Sequence, residues 1–318
     1  MRCSLKRLLY FSRKIRPLPN MDINSYRGEL AALTSALLWA LGATIFTRLG
    51  QRVPPLALNL LKGIAAIAFV LLTLWLRGDR VPAADGITWG LLAISGICGI
   101  SFGDTLFFAA LNRMGPRRTL LLQTASPLLS ALLAWVFLRE PLGPLAGLGI
   151  VLVMFGVAGA ISERSPPDVG AFQFTVAGVS FALGAALAQA VGAVLSRAAL
   201  AETAIAPLWA TLVRLLAGEV VLLLGWGWQQ RGKWTIGDIS SPRAIATIAG
   251  TAFYTTYLAI WLQQTSLKFA PAGISQTLSA TSPILILPLV AILGERVSWR
   301  AIGSAIVAFA GVACIFWR

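Results

Sequence analysis

The sequence predicts an all-α polytopic membrane protein, with ten transmembrane helices arranged as two inverted five-helix repeats. Three observations lead there. Of the 318 residues, 57% are hydrophobic and only 12% charged, about half the charged share of a soluble domain. The apolar residues gather into runs of roughly 20, the length a helix needs to cross the hydrocarbon. Finally, "ALNRMGPRRTLLLQTASPLLSALLAWVFLREPL" at 110–142 is echoed by "SLKFAPAGISQTLSATSPILILPLVAILGERV" at 266–297. Each copy runs from a basic residue through hydroxyl-rich sequence to Ser-Pro, then through an apolar run to a lone Glu.

Reading between charged and Gly/Pro punctuation gives spans at 30–47, 55–76, 89–111, 119–138, 142–161, 174–195, 206–226, 244–266, 273–293 and 300–317. Short connections leave no room for a soluble domain. The polar break at 162–173 divides the chain into a basic extension (1–28), a first repeat (29–161), a linker (162–173) and a second repeat (174–318). Ser126-Pro127 matches Ser282-Pro283, and Glu140 matches Glu295. "PLALNLLK" (55–62) matches "PLWATLVR" (207–214), which sets Lys62 opposite Arg214. "WALGA" (39–43) matches "QAVGA" (189–193), which sets Trp39 opposite Gln189. Five is odd, so the second copy enters the membrane from the other side. Inverted repeats of this kind are a transporter architecture with a midplane site between the halves.

Charge and composition exclude other classes. The net charge of +14 is spread as single basic residues between apolar runs, without the basic, aromatic-studded face that nucleic acid needs. The bilayer is the expected partner. There is no histidine, which removes the commonest general base and metal ligand. Cys3, Cys98 and Cys314 lie far apart, so neither a disulfide framework nor a metal site is indicated. No catalytic carboxylate pair appears, and no cofactor or enzyme activity is expected.

A charge at the bilayer centre costs about 2.5–3.5 kcal/mol on insertion scales, so intramembrane charges need partners or a wet cavity. Lys62 lies seven residues into span 2 and Asp104 seven residues from the end of span 3, which puts them at similar depth. Geometry allows an ion pair that stitches the helices together; alternatively Asp104 serves as a proton site or a binder of substrate ammonium. Arg214 has no matching carboxylate in span 8, and Glu219 lies about 140° round the same helix. Arg214 either snorkels to the interface, leans on Tyr254, Tyr257 or helix-end carbonyls, or meets a substrate carboxylate.

Proline removes a donor, so Pro127 frees the Gln123 carbonyl and Pro283 that of Ser279. Freed carbonyls in hydrocarbon must line a cavity or find hydroxyls. Gln123, Thr124 and Ser126 in span 4, with Gln276, Thr277, Ser279, Thr281 and Ser282 in span 9, make these spans the expected lining. Trp39 and Gln189 join the candidate substrate residues, Trp39 equally as packing. Spans 5 and 10 carry many small residues: Gly147, Gly149, Gly156 and Ala160 in the first, Gly303, Ser304, Ala308 and Gly311 in the second. Such faces serve close packing, at the periphery or in a contact that makes a homodimer.

"FFAALNRMGPRRTLLLQTASPLLSALLAWVFLREPLGPLAGLGIVLVMFGV" resembles the second half of an EamA domain of the drug/metabolite transporter superfamily. "SLKFAPAGISQTLSATSPILILPLVAILGERVSWRAIGSAIVAFAGV" resembles it again. The resemblance covers about residues 28–317. It implies ten helices, both termini cytoplasmic, and secondary transport or export of small metabolites such as amino acids across the plasma (inner) membrane. Rival readings are exchange of anionic phosphorylated metabolites and a non-transporting scaffold or receptor. With the N-terminus inside, 13 basic residues are cytoplasmic and 11 external. Without residues 1–20 the balance becomes 7 to 11, so the orientation rests on the resemblance rather than on the positive-inside rule.

Overall fold

The computed structural model describes residues 23–50, 55–162, 175–229, 242–285 and 298–317, and all of its long elements are helical. A short 3-10 turn (Ile23–Tyr26) leads into α1 (Arg27–Gly50), followed by α2 (Pro55–Arg77). Next come α3 (Gly86–Gly96), a π-helical turn (Ile97–Gly103), α4 (Asp104–Gln123) and α5 (Ala125–Leu138). The first repeat closes with α6 (Pro144–Ser162). The second repeat has α7 (Val176–Leu200), α8 (Pro207–Gln229), α9 (Pro242–Ala252), a second π-helical turn (Phe253–Leu258) and α10 (Ala259–Phe269). It ends with α11 (Ala272–Ser279), α12 (Ser282–Leu285) and α13 (Trp299–Phe316).

Local chemistry sets these boundaries. Pro55, Pro144, Pro207 and Pro242 each open a helix, where the missing N–H removes nothing and the ring pre-sets φ. Asp85, Thr175 and Ser298 accept from the first-turn amides of α3, α7 and α13, satisfying donors that have no intrahelical partner. The α2 helix stops at Gly78, where φ is 63°, the left-handed residue of a helix C-cap.

Eight helices among the described residues are long and apolar enough to cross a membrane. They correspond to expected spans 2 to 8 and span 10. Span 1 is the helix α1, whose side chains are described to Gly42; span 9 runs into residues 286–297, outside the described residues. Large apolar side chains face outward, among them Trp75, Phe137, Phe155, Trp299 and Trp317, each at least 71% exposed. In water these would be an aggregation liability; in lipid they are the solvent-facing surface.

One expectation changes form. Spans 3 and 4 were expected to be separated by a break at 112–118, yet helical hydrogen bonding runs on from Asp104 to Gln123. The reversal is visible in the packing instead. Along α7, Asp104 lies by Gln189 and Met114 against Gly178. Leu122 is still beside Met114 and Ala182, but Ala134 packs on Ala193 and Val194. The chain therefore turns back between Met114 and Leu122.

Pro127 and Pro283 also differ from the expected mid-helix kinks. Each falls in the first turn of a new helix, α5 or α12, after a break at Thr124 or at Ala280–Thr281. The hydroxyls do what hydrocarbon demands: Ser282 donates to the Ser279 carbonyl at 3.0 Å, Thr281 to Leu278 at 2.7 Å and Thr124 to Leu121 at 2.6 Å.

The repeats exchange their first helices. Helix α1 packs on α10, α11 and the second π turn, while α7 packs on α4, α5 and the first. Gly28 of α1 sits against Ala270, and Gly178 of α7 sits against Met114; both pairs are equivalent in the repeat. The small-residue faces of α6 and α13 meet within the chain. A Cβ on Gly156 would stand 2.6 Å from Ala308 N and Ser304 O, and one on Gly311 2.6 Å from Gly149 O. Ser304 thus lies in an internal seam, its Oγ against Gly159, and not on an outer face. A second copy using these helices would meet their large outer residues, such as Phe155 and Ile306.

That seam makes a test. Gly156→Val should lower the melting temperature of detergent-solubilised protein by an amount equivalent to about 1–3 kcal/mol of overpacking. Gly303→Val, on the same helix pair but facing open space, should leave it unchanged. Equal melting of the two variants would mean that α6 and α13 do not approach this closely.

Candidate functional site

A π-helical turn widens the ring of backbone hydrogen bonds and leaves a carbonyl without its usual partner. In hydrocarbon that carbonyl needs a donor from elsewhere. The two π turns sit at equivalent places in the repeats, and each receives a side chain from the helix exchanged by the other half. Gln189 Nε2 of α7 donates to the Gly99 carbonyl at 3.1 Å. Trp39 Nε1 of α1 donates to the Thr255 carbonyl at 2.8 Å. Gly99 and Thr255 are repeat equivalents, as are Trp39 and Gln189.

Charge collects at the first turn. Asp104 follows it directly, and Lys62 Nζ of α2 stands 3.4 Å from Asp104 Oδ2, which forms the expected ion pair. Gln189 Nε2 also reaches Asp104 Oδ1 at 3.3 Å, so one amide joins the carboxylate to the π-turn carbonyl. Arg214 of α8 is buried, 4% exposed, so it does not snorkel. It donates to Ser196 Oγ at 2.7 Å, which lies 2.8 Å from Ser95 Oγ. Ser95 in turn donates to the Gly192 carbonyl. The Arg214 Nε has no partner, and its fork abuts Gly99, where a Cβ would be 3.0 Å from Nη2.

The tyrosines expected near Arg214 lie elsewhere. Tyr257 Oη shares a hydrogen bond with Thr73 Oγ1 at 2.8 Å and packs among Phe69, Phe253 and Trp261. Tyr254 lies beside Gly42. Gln123 and Thr124 end α4 half-buried; Ser126, Gln276 and Ser279 are buried and Ser282 half-buried. None of these makes a hydrogen bond to the Lys62–Asp104–Gln189 group among the bonds described. The Ser279 hydroxyl has no partner among the described residues.

Sequence reasoning missed three features. Arg214 is held by Ser196, which in turn meets Ser95; neither serine was singled out from the sequence. Glu219 is 3% exposed and neither carboxylate oxygen has a partner; intramembrane burial of a carboxylate was the signal, and it was set aside because Arg214 is misaligned. Gln264 is fully buried with both amide atoms unpaired.

Glu140, one of the repeated glutamates, has a structural post. Its Oε1 is 2.5 Å from Arg197 Nε, and its Oε2 accepts from Ala272 N at 3.0 Å, the first residue of α11. Arg197 also donates to the carbonyls of Leu267 and Lys268, and Lys268 to those of Thr203 and Ile205. This clamp ties the ends of spans 4, 6 and 8 together. Its repeat counterpart Glu295 lies outside the described residues.

The ion pair can be tested without knowing a substrate. Asp104→Asn removes the carboxylate that Lys62 faces in the bundle and should cost about 3 kcal/mol, read as chemical-denaturation stability in detergent. Lys62→Met with Asp104→Asn should recover most of that loss. A double variant as unstable as the sum of the singles would show that the two charges are not coupled.

The EamA-like transporter family matches residues 26–162 and again 176–317, one copy per repeat. A solved structure described as "Crystal structure of protein" is 21% identical, covers 90% of this chain and 95% of its own, and superposes with a TM-score of 0.73. At that identity the likeness speaks for the fold alone. A comparison with curated proteins finds no match. With both copies of the family domain accounting for nearly the whole chain, this protein belongs to the EamA-like transporter family, membrane transporters and not enzymes.

Proposed function

We propose that the protein is a secondary transporter, an exporter or exchanger of a small polar metabolite such as an amino acid, in the plasma membrane. It works by alternating access between two inverted five-helix halves. The observation that carries this reading is the charged group at the first π turn. Lys62 and Asp104 of the first repeat, and Gln189 and Arg214 of the second, converge there through hydrogen bonds and helix contacts. A carboxylate and a guanidinium together suit a zwitterion, the first for its ammonium and the second, by its planar fork, for its carboxylate. Gln123 and Gln276 supply amides in spans 4 and 9, where lipid supplies none.

Counterflow of labelled amino acids, nucleosides and sugar phosphates into proteoliposomes tests the substrate class. Asp104→Asn and Arg214→Gln should each lower amino-acid flux about tenfold or more, the equivalent of one lost charge-assisted hydrogen bond. Gln123→Leu and Gln276→Leu should preserve insertion and abolish or redirect flux. Ile306→Ala, 64% exposed on α13, should leave flux intact. If the glutamine and charge variants transport normally, the solute path lies elsewhere.

The inversion has its own test. Gly143→Cys, between spans 4 and 5, and Arg300→Cys, at the start of span 10, are exposed positions in corresponding parts of the two repeats. In a background without Cys3, Cys98 and Cys314, an impermeant thiol reagent should label only one of them in right-side-out vesicles. Equal labelling would rule out the inversion.

A further inference from the structure

We propose that Glu219 is a proton-binding site, the point at which transport is linked to a proton. The idea deepens the transport reading and depends on it for the proton's use, but the protonation itself stands on geometry. Glu219 is 3% exposed in the middle of α8, and both carboxylate oxygens lack a hydrogen-bond partner. A bare carboxylate in such a place forfeits its hydration with nothing in return, whereas a carboxylic acid there is merely an unpaired neutral group. The neighbouring chain is shaped to admit the acid and, among the described residues, gives it no donor. Glu219 lies against Gly63 of α2, where a Cβ would fall within 1.6 Å of Oε1, so any larger residue would fill the space that the carboxyl group occupies.

The charged groups around it suit a switch. Lys62, next to Gly63, and Asp104, after the π turn, are its charged neighbours. Arg214, five residues earlier on α8, is committed to Ser196. Ser101 of the π turn donates to the Gly218 carbonyl at 2.7 Å, tying the Glu219 segment to the turn that carries Asp104. In the state seen here Lys62 pairs with Asp104. If α2 and α8 shift so that Lys62 faces Glu219, the carboxyl O–H bond breaks, the proton passes to water, and the carboxylate takes the ammonium as partner. Return of Lys62 to Asp104 runs the exchange backwards, and Glu219 takes a proton from water again. Atoms and charge balance with the proton alone.

Infrared spectroscopy of the native protein with ¹³C-labelled glutamate decides the point. A protonated-carboxyl C=O band that shifts with the label should be present at neutral pH and vanish in Glu219→Gln, while surviving in Asp104→Asn and Glu29→Gln. Absence of the band from the native protein, or its survival in Glu219→Gln, overturns the proposal; the native measurement holds even where a variant does not fold. In proteoliposomes, Glu219→Gln should keep solute counterflow within about twofold, since counterflow needs no net proton movement, and lose accumulation driven by a pH gradient. Accumulation that persists in Glu219→Gln overturns the link between this proton and transport. A native protein that shows the band but moves no solute would sink the transport reading and leave the proton site standing.

Discussion

Every polar backbone group and every charge inside a bilayer has to find its partner within the protein, because the solvent offers none. The arrangement of this bundle follows from that constraint. At several places among the described residues where regular helical bonding is interrupted, a side chain supplies the missing bond. The π turns take Gln189 and Trp39. The break before Pro283 takes Ser282. The free amide end of α11 takes Glu140, which is itself held by Arg197. Thr34, Thr73, Thr203, Thr211, Thr251 and Thr265 bond back to the carbonyl four residues earlier, so that hydroxyls inside the spans spend their donors on their own helices.

Most of these repairs come from the other half of the chain. An unpaired carbonyl in one repeat is satisfied by a donor carried on the first helix of its partner, so neither half closes its hydrogen bonding alone. The exchange also explains where the small residues are. Helix α7 threads between α3, α4, α5 and α11, and the face it presents is Ala182, Ala185, Ala186, Ala190 and Ala193, all buried. Without a hydrophobic driving force between helices, close approach of backbones is what holds such a bundle together. Alanine and glycine allow that approach, and α6 and α13 use the same device at the edge.

Much of this was legible in the residues. Length and apolarity marked the spans, because lipid filters composition strongly. The division into two repeats followed from matched Ser-Pro and Pro-Leu stretches, and Lys62 with Asp104 followed from equal depth. The rest lay beyond one-dimensional reasoning for identifiable reasons. A π turn inserts one residue into a helical ring without leaving a proline or glycine signature that differs from ordinary packing, so "GICGISFG" and "TAFYTTYL" read as plain helix. The partner of Arg214 is a serine on α7, two elements away from the tyrosines that seemed to match it. The reversal at 112–118 was correct as a turn but not as a break, since helical bonding persists through it. The lone glutamate after span 4 looked like punctuation, and its work at the start of α11 depends on contacts across more than 130 positions of chain.

The frame is repeated, but its polar content is not. Lys62 and Arg214 occupy matching positions, yet Asp104 corresponds to Ile260, Gln189 to Trp39 and Gln264 to Phe108. The duplicated backbone therefore supplies two similar π turns, of which only the first bears charge. This difference bears on what such a site can do. A fully symmetric lining would offer a solute two equivalent poses related by the repeat axis. A lining with one carboxylate on one side and one guanidinium on the other offers a single orientation. Glu219 extends the asymmetry, since its counterpart position in α2 is Ile67 and carries no charge. Duplication built the repeated frame, and divergence between the copies placed charge at only one of its two π turns.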